Sequence, residues 1–363
     1  MIAKKLYQKI NNYIPFWSIF IYFFAFISLI IYLLCTKSTE FADNFNEFSS
    51  PFRVIISVFT SAFPFSIFEI FVIFLPIILL FSIFKYASRG NKQAYNFLNS
   101  ILMLFLTYFI CFVWTLGSGY FTTSIERKMN LDIDNITKTD IYDALTIITN
   151  EINQLARDIN YDQNGASTMP YTMKDMSLKI SEAYTRMDKS NKFVYSTRIK
   201  PIFFSRLLSF IRVSGIYIPL TGEANVNINY SDFIITSTSA HEMAHQRGVS
   251  KENEACFVGF LALSSSQDKY LKYSGYLDAY GKLLSSLEKE DKNLYNKILR
   301  LIDKRAVKDY NLQAEQSINH SSEKLENSSN KLNDSYLQVN GVSEGIKSYE
   351  KANLLIVSYM TRR

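Results

Sequence analysis

Three apolar runs crowd into the first 117 residues, and they constrain this chain more than any other feature. Phe16–Cys35 ("FWSIFIYFFAFISLIIYLLC") carries no charge, Ser66–Phe84 ("SIFEIFVIFLPIILLFSIF") carries only Glu69, and Phe97–Gly117 ("FLNSILMLFLTYFICFVWTLG") carries none. Each has the roughly 20-residue length that a helix needs to cross a bilayer core. One such helix can hide inside a soluble core, but three in so short a stretch predict a membrane domain over residues 1–117. The first run is too long for a cleaved leader and no small-residue cleavage site follows it, so it reads as an anchor.

Basic residues set the expected orientation. Lys4, Lys5 and Lys9 precede the first run, and Lys85, Arg89 and Lys92 lie between the second and third. The loop between the first two runs mixes Lys37 and Arg53 with Glu40, Asp43 and Glu47. The positive-inside rule then puts the N-terminus in the cytoplasm and residues 118–363 outside. Within this region Pro51–Ser66 is short, apolar and bounded by proline. It reads as an interfacial or re-entrant segment, or as an extension of the second span. Glu69, an ionisable group near the start of the second span, is a functional candidate by default, though hydration at the outer boundary is the favoured reading.

Beyond Tyr120 the composition turns to Lys, Asn, Asp and Ser with periodic apolar residues. The formal charge of +6 is spread along the chain, and the lack of a basic stripe argues against a nucleic-acid partner. Three cysteines, an odd number, exclude a paired disulfide scaffold.

Helical spacing dominates the outer part. Ile141, Leu145, Ile148, Ile152, Leu155 and Ile159 predict a helix over 139–159, with Thr139 as its cap and Asp140 and Asp143 in its first turn. Tyr161–Pro170 reads as a loop and Lys174–Lys189 as a second helix. The period then changes: Ala224, Val226 and Ile228 alternate with Asn225, Asn227 and Asn229, predicting a strand over 224–230 after a Thr-Gly turn. Helical patterning returns from Ser239 to about Lys289. Glu315–Asp334 is polar, either an exposed helix or a loose loop, and Tyr349–Met360 has a helical apolar face.

The chemistry concentrates in "TSTSAHEMAHQRGVSKENEACFVGF" (Thr236–Phe260), which holds two of the three histidines. On a helix, His241 and His245 at i and i+4 share one face and can reach one ion. Glu242 stands one step round, placed to take a proton from water without ligating. Zn2+ held by two imidazoles and a carboxylate with an open position makes water nucleophilic near neutral pH. Thr238 or Ser239 is the expected start of this helix and Gly248 its end, with Ser250 capping a second one. Glu252 and Glu254 are the candidate third ligands, and they point about 200° apart on that second helix, so one at most faces the ion. Glu252 is favoured because Cys256 follows it on the same face; Glu223 is a weaker candidate. Asn225 and Asn227 mark a strand that could hold an extended peptide. Tyr349, or less readily His320, could donate a hydrogen bond to a developing oxyanion.

Taken together, the three spans, "PFSIFE" (64–69), "PLTGEANVN" (219–227), "HEMAHQRG" (241–248), "ENEACF" (252–257), "YLKYSGYLDAY" (270–280) and "GIKSYEKA" (345–352) resemble the bacterial membrane family catalogued as domain of unknown function 3810. The resemblance implies a mainly α protein: three N-terminal transmembrane helices and then a zincin-like α+β extracytoplasmic domain with a small sheet. Its implied activity is that of a zinc metallopeptidase acting on an extracytoplasmic peptide or protein substrate at the lipid bilayer. A non-catalytic sensor or assembly factor with the same peptide-binding domain is the alternative. The ExxA step from Glu252 to Ala255 is similar to that of glutamate-zincins, whose opening glutamate is the third ligand. The short link from His245 is nearer to metzincin spacing, where Lys251 would hold that position. Cys256 stands where those relatives often carry Asp or Asn.

Overall fold

The computed structural model describes residues 16–87, 91–187, 195–320, 323–343, 345 and 348–361. Helices α1 (Phe16–Lys37), α2 (Thr39–Phe48), α3 (Ser50–Ser61), α4 (Ile67–Ala87) and α5 (Asn91–Thr115) open the chain. Of these, α1, α4 and α5 are long and apolar enough to cross a membrane, over Ser18–Lys37, Ile67–Phe84 and Tyr95–Thr115. Large apolar side chains stay uncovered along them, Phe81 at 73% and Phe84 at 78% exposure among others. Apolar faces of that extent are compatible with a membrane and costly in water. The basic residues expected to orient the spans, Lys4, Lys5, Lys9, Lys85, Arg89 and Lys92, lie outside the described residues and side chains.

Most of the stretch 51–66 lies in a helix of its own, α3 (Ser50–Ser61), and residues 62–66 turn before α4, so it does not extend the second span. Proline at its first turn favours the start, where an amide hydrogen would go unused. Its amphipathicity is inverted. Arg53, Ser57 and Thr60 are buried against the rest of the protein, whereas Ile55 and Phe59 face outward.

The second part is built mainly from α6 (Lys138–Leu155), α7 (Met173–Met187), β1 (Lys200–Pro201), α8 (Ser205–Ser209), β2 (Gly215–Ile218) and β3 (Glu223–Val226). Then come α9 (Asp232–Gln246), α10 (Glu252–Ser264), α11 (Lys269–Glu290), α12 (Lys292–Leu301), α13 (Lys304–His320), α14 (Glu323–Val339) and α15 (Ser348–Thr361). The chain is thus mainly helical with one small mixed sheet of order β1-β3-β2, β1 parallel and β2 antiparallel to β3. Ile148 and Ile152 of α6 pack with Tyr273 and Leu277 of α11, Phe257 of α10 and Leu355 of α15. Met176, Ile180 and Tyr184 of α7 pack with Met243 and Ala244 of α9 and Val258 of α10. These two cores hold α9 and α10 side by side.

Several local expectations shift. Helix α6 starts two residues early because Thr137, not Thr139, forms a reciprocal capping box with Asp140. Within the polar stretch 315–334, residues 315–320 and 323–334 are helical, in α13 and α14. Helix α9 begins at Asp232 after Ser231, so Thr238 and Ser239 are interior residues instead of caps. The hydroxyls of Thr236 and Ser237 in the same run bond back to the carbonyls of Asp232 and Ile234, which satisfies them within a helix.

Candidate metal centre

Helix α9 carries His241, Glu242 and His245 through the middle of the domain and ends where Gly248 adopts φ +89°, a backbone region that favours glycine. Helix α10 then starts after Lys251. Ser250 is not its cap; the Ser250 hydroxyl donates to the carbonyl of Leu116 at the end of the third span, 2.5 Å away. This tight turn brings Glu252, the first residue of α10, back over the histidines.

His241 Nε2 and His245 Nε2 lie 3.0 Å apart. Glu252 Oε2 is 3.1 Å from the first and 3.4 Å from the second. A tetrahedral zinc with bonds of about 2.0–2.1 Å sets its ligand atoms roughly 3.3 Å apart. Two imidazoles and a carboxylate at these separations fit that ion, and the three residues form the described cluster with metal-ligand geometry. Each ring is oriented from behind. His245 Nδ1 bonds the Val249 carbonyl at 2.8 Å, which leaves Nε2 unprotonated and facing the cluster. His241 Nδ1 meets Cys256 Sγ at 3.3 Å, a weaker partner. Burial alone would raise the Glu252 carboxyl, but the two histidines hold it well below the usual carboxylate range.

Glu242 is buried beside the cluster and belongs to neither ring's contact. Burial pushes its carboxyl up to about 7 against the pull of His241 and His245. The backbone N–H of Tyr217 on β2 donates to it. That strand lies so close that a Cβ on Gly215 would stand 2.6 Å from Glu242 Oε1. Only glycine allows this approach.

These residues line a cavity of about 1060 Å³, large enough for several peptide residues, whose walls also include Tyr349 and Tyr336. Burial and then the neighbouring Glu252 hold the Tyr349 phenol well above its ordinary value, so it stays a hydrogen-bond donor. Sequence reasoning missed Tyr120 and Tyr336, whose hydroxyls bond each other at 3.3 Å near Glu252. It also missed the Asp278–Lys282 pair, 2.8 Å, on the cavity wall. The i, i+4 spacing of that pair within "YLKYSGYLDAY" and its continuation was the available signal.

Four other expectations resolve differently. Glu254 turns away from the histidines to Lys251, 3.0 Å, and to the backbone of Ile125. Glu223 accepts from the backbone N–H groups of Ile67 and Phe68, 2.9 and 3.0 Å, at the start of α4. The strand expected over 224–230 ends at Val226, so Asn225 sits on the central strand, whose edges are both already paired, and Asn227 lies just beyond it; their amides donate to backbone or to Ser209. They cannot hold a peptide by that route; the free edge beside Glu242 belongs to β2. Glu69 is bonded across to the domain, accepting from Phe203 and Phe204 N–H at 2.9 and 3.1 Å. The side chain of His320 lies outside the described residues.

No curated protein and no solved structure matches the chain. A family model does match, over residues 44–357, a range that takes in the histidine helix, Glu252, the sheet and Tyr349. The chain belongs to the family described as Protein of unknown function (DUF3810).

Proposed function

We propose that this protein is a membrane-anchored zinc metallopeptidase whose site faces the outer side of a bacterial cell membrane. One observation carries the reading: three donor atoms at ion-sharing separation beside a buried carboxylate that ligates nothing, all in one peptide-sized cavity. His241, His245 and Glu252 would hold Zn2+, which in such a donor set acts as a Lewis acid and makes water nucleophilic near neutral pH.

The chain's own groups supply the rest. Glu242, with a carboxyl poised near the operating pH, accepts the proton of the attacking water and returns it to the leaving nitrogen. Tyr349 donates to the oxygen on which charge develops. The open edge of β2, where Tyr217 N–H already points toward the site, receives an extended peptide by main-chain hydrogen bonds and presents its carbonyl beside Glu242.

The decisive variant is Glu242→Gln in the full chain, assayed for zinc content and for cleavage of a mixed peptide library. Zinc is retained and hydrolysis falls by at least about 10³-fold, within the range for loss of a general base together with its positioning. Undiminished turnover ends the proposal. Stoichiometric zinc and peptide binding in the parent chain, without cleavage, would identify a peptide sensor instead.

A further inference from the structure

The stretch "PIFFSRLLSF" (201–210) plays no part in the chemistry above, yet it repeats the inverted amphipathicity of α3. Phe203, Leu207 and Phe210 are 84%, 60% and 44% exposed, and Arg206 shares their face at helical spacing. The inward positions are polar and fully used. Ser205 Oγ accepts from Ile228 N–H at 3.0 Å, and Ser209 Oγ accepts from the Asn227 and Asn229 amides at 3.1 and 3.0 Å. An apolar outer face over a hydrogen-bonded inner one has no rationale in water.

The position of this stretch says what covers that face. The Glu69 carboxylate, in the first turn of the second span, accepts from the backbone N–H of Phe203 and Phe204. The exposed phenyl of Phe203 therefore begins at the level where α4 begins. Exposed Phe63 and Phe65 lie in the turn just before that span, and Phe59 and Ile55 on α3 continue the same apolar surface. A cation among large apolar side chains at a span boundary is the composition of an element lying in the lipid interface. Behind it, Leu208, Ile211 and Val213 form a wall of the site cavity, which also reaches Phe68 and Tyr108 on the spans.

We infer that Phe203–Val213 is a membrane-seated lip of the site, its outer face set in the lipid interface and its inner face walling the cavity. The substrate is accordingly a polypeptide held in the same bilayer. The lip itself stands apart from the hydrolytic reading; only the substrate class rests on it.

The test uses the full chain in vesicles of phosphatidylcholine and phosphatidylglycerol. Phe203→Trp adds an emitter over the background of the chain's own two tryptophans. Its emission is expected to be blue-shifted and to lose intensity to brominated phosphatidylcholine, more to shallow bromines than to deep ones. Leu301→Trp, an exposed position at the end of α12, a helix that packs against α6 and α11, gives no such loss. A solvent-like, unquenched Trp at 203 overturns the lip. In the same vesicles a palmitoylated fluorogenic peptide is expected to be cut faster than the free peptide, on the order of ten-fold or more, as tethering raises its local concentration. Leu207→Asp, which drives the lip out of lipid, shrinks that advantage. Equal rates for the two peptides overturn the substrate class. Failure to cut either peptide counts against the hydrolytic reading, and the quenching result then still decides the lip.

Discussion

Gly215→Ala isolates the contact between β2 and Glu242 from the metal cluster itself. A Cβ at this position would stand 2.5 Å from Thr238 Cγ2, 2.6 Å from Glu242 Oε1 and 2.8 Å from Glu242 Cγ. Carbon atoms rest comfortably at about 3.5–4.0 Å, so strand and helix must separate by roughly 1 Å. Neither can do so freely. Thr238 and Glu242 are buried and lie one turn apart on the same helix face, and β2 is held along β3 by its ladder. Overpacking of this kind costs about 1–3 kcal/mol, seen as a thermal midpoint several degrees lower in detergent. The same displacement moves Glu242 relative to a substrate on β2, and about 1 Å of misplacement costs on the order of 10²-fold in rate. Zinc affinity, measured by competition with a chromophoric chelator, should change little, since no atom of His241, His245 or Glu252 is touched. A variant with the parent's midpoint and turnover would show that β2 does not seat the carboxylate. One that loses zinc would show that the cluster and Glu242 cannot be separated as argued.

Other perturbations give equally direct readings. Glu252→Gln should weaken zinc binding by more than about 100-fold, beyond the loss typical of an outer-shell partner, whereas Glu254→Gln should leave it unchanged; metal analysis of both proteins decides. Cys256→Asp replaces a weak partner of His241 Nδ1, 3.3 Å away, with a strong acceptor and should tighten zinc about ten-fold in the same chelator assay. Asp43 accepts from Thr123 N–H at 3.2 Å and from Lys128 at 2.9 Å; burial opposes ionisation, but the bonds from Thr123 and Lys128 outweigh it and hold the carboxyl below its usual value. Its stabilisation is therefore present above the unfolded value of about 3.9 and is lost as pH falls through the folded one. Asp43→Asn should cost roughly 1–2 kcal/mol in denaturant unfolding at neutral pH, with the gap to the parent closing in acid.

What was legible in the sequence shares a physical character: it was local. His241 and His245 are one helical turn apart, and Glu252 follows within seven residues, so their convergence needs only a helix, a glycine turn and a second helix. The spans are legible because length and apolarity are properties of single segments. Apart from helix starts misplaced by a few residues, the failures depended on partners far along the chain. Asn225 reads as an available strand residue until β1, twenty-five positions earlier, occupies the other edge of β3. Ser250 has the right residue type to cap a helix, but the end of the third span takes its hydroxyl first. Glu254 and Glu252 are chemically alike, and only the position of Lys251 and Ile125 assigns one outward and the other to the histidines.

The same distance explains why two acidic residues with functional credentials turn out to be joints. Glu223 leaves the sheet and satisfies two N–H groups at the start of α4, where the helix dipole favours a negative charge and no intrahelical acceptor exists. Glu69 leaves α4 and does the same for Phe203 and Phe204 beside the sheet. Lys200 on β1 bonds the carbonyls of Thr60 and Phe63 where α3 ends. These connections cross between the N-terminal helices and the domain in both directions, using charged groups against backbone at helix ends and turns. A hinge at the end of the third span would have to break all of them at once, each bond of this kind worth about 1.5–3 kcal/mol. Charged side chains thus tie the apolar helices to the elements that carry the histidine site, Glu223 from the sheet to α4 and Glu69 from α4 to the segment beside it.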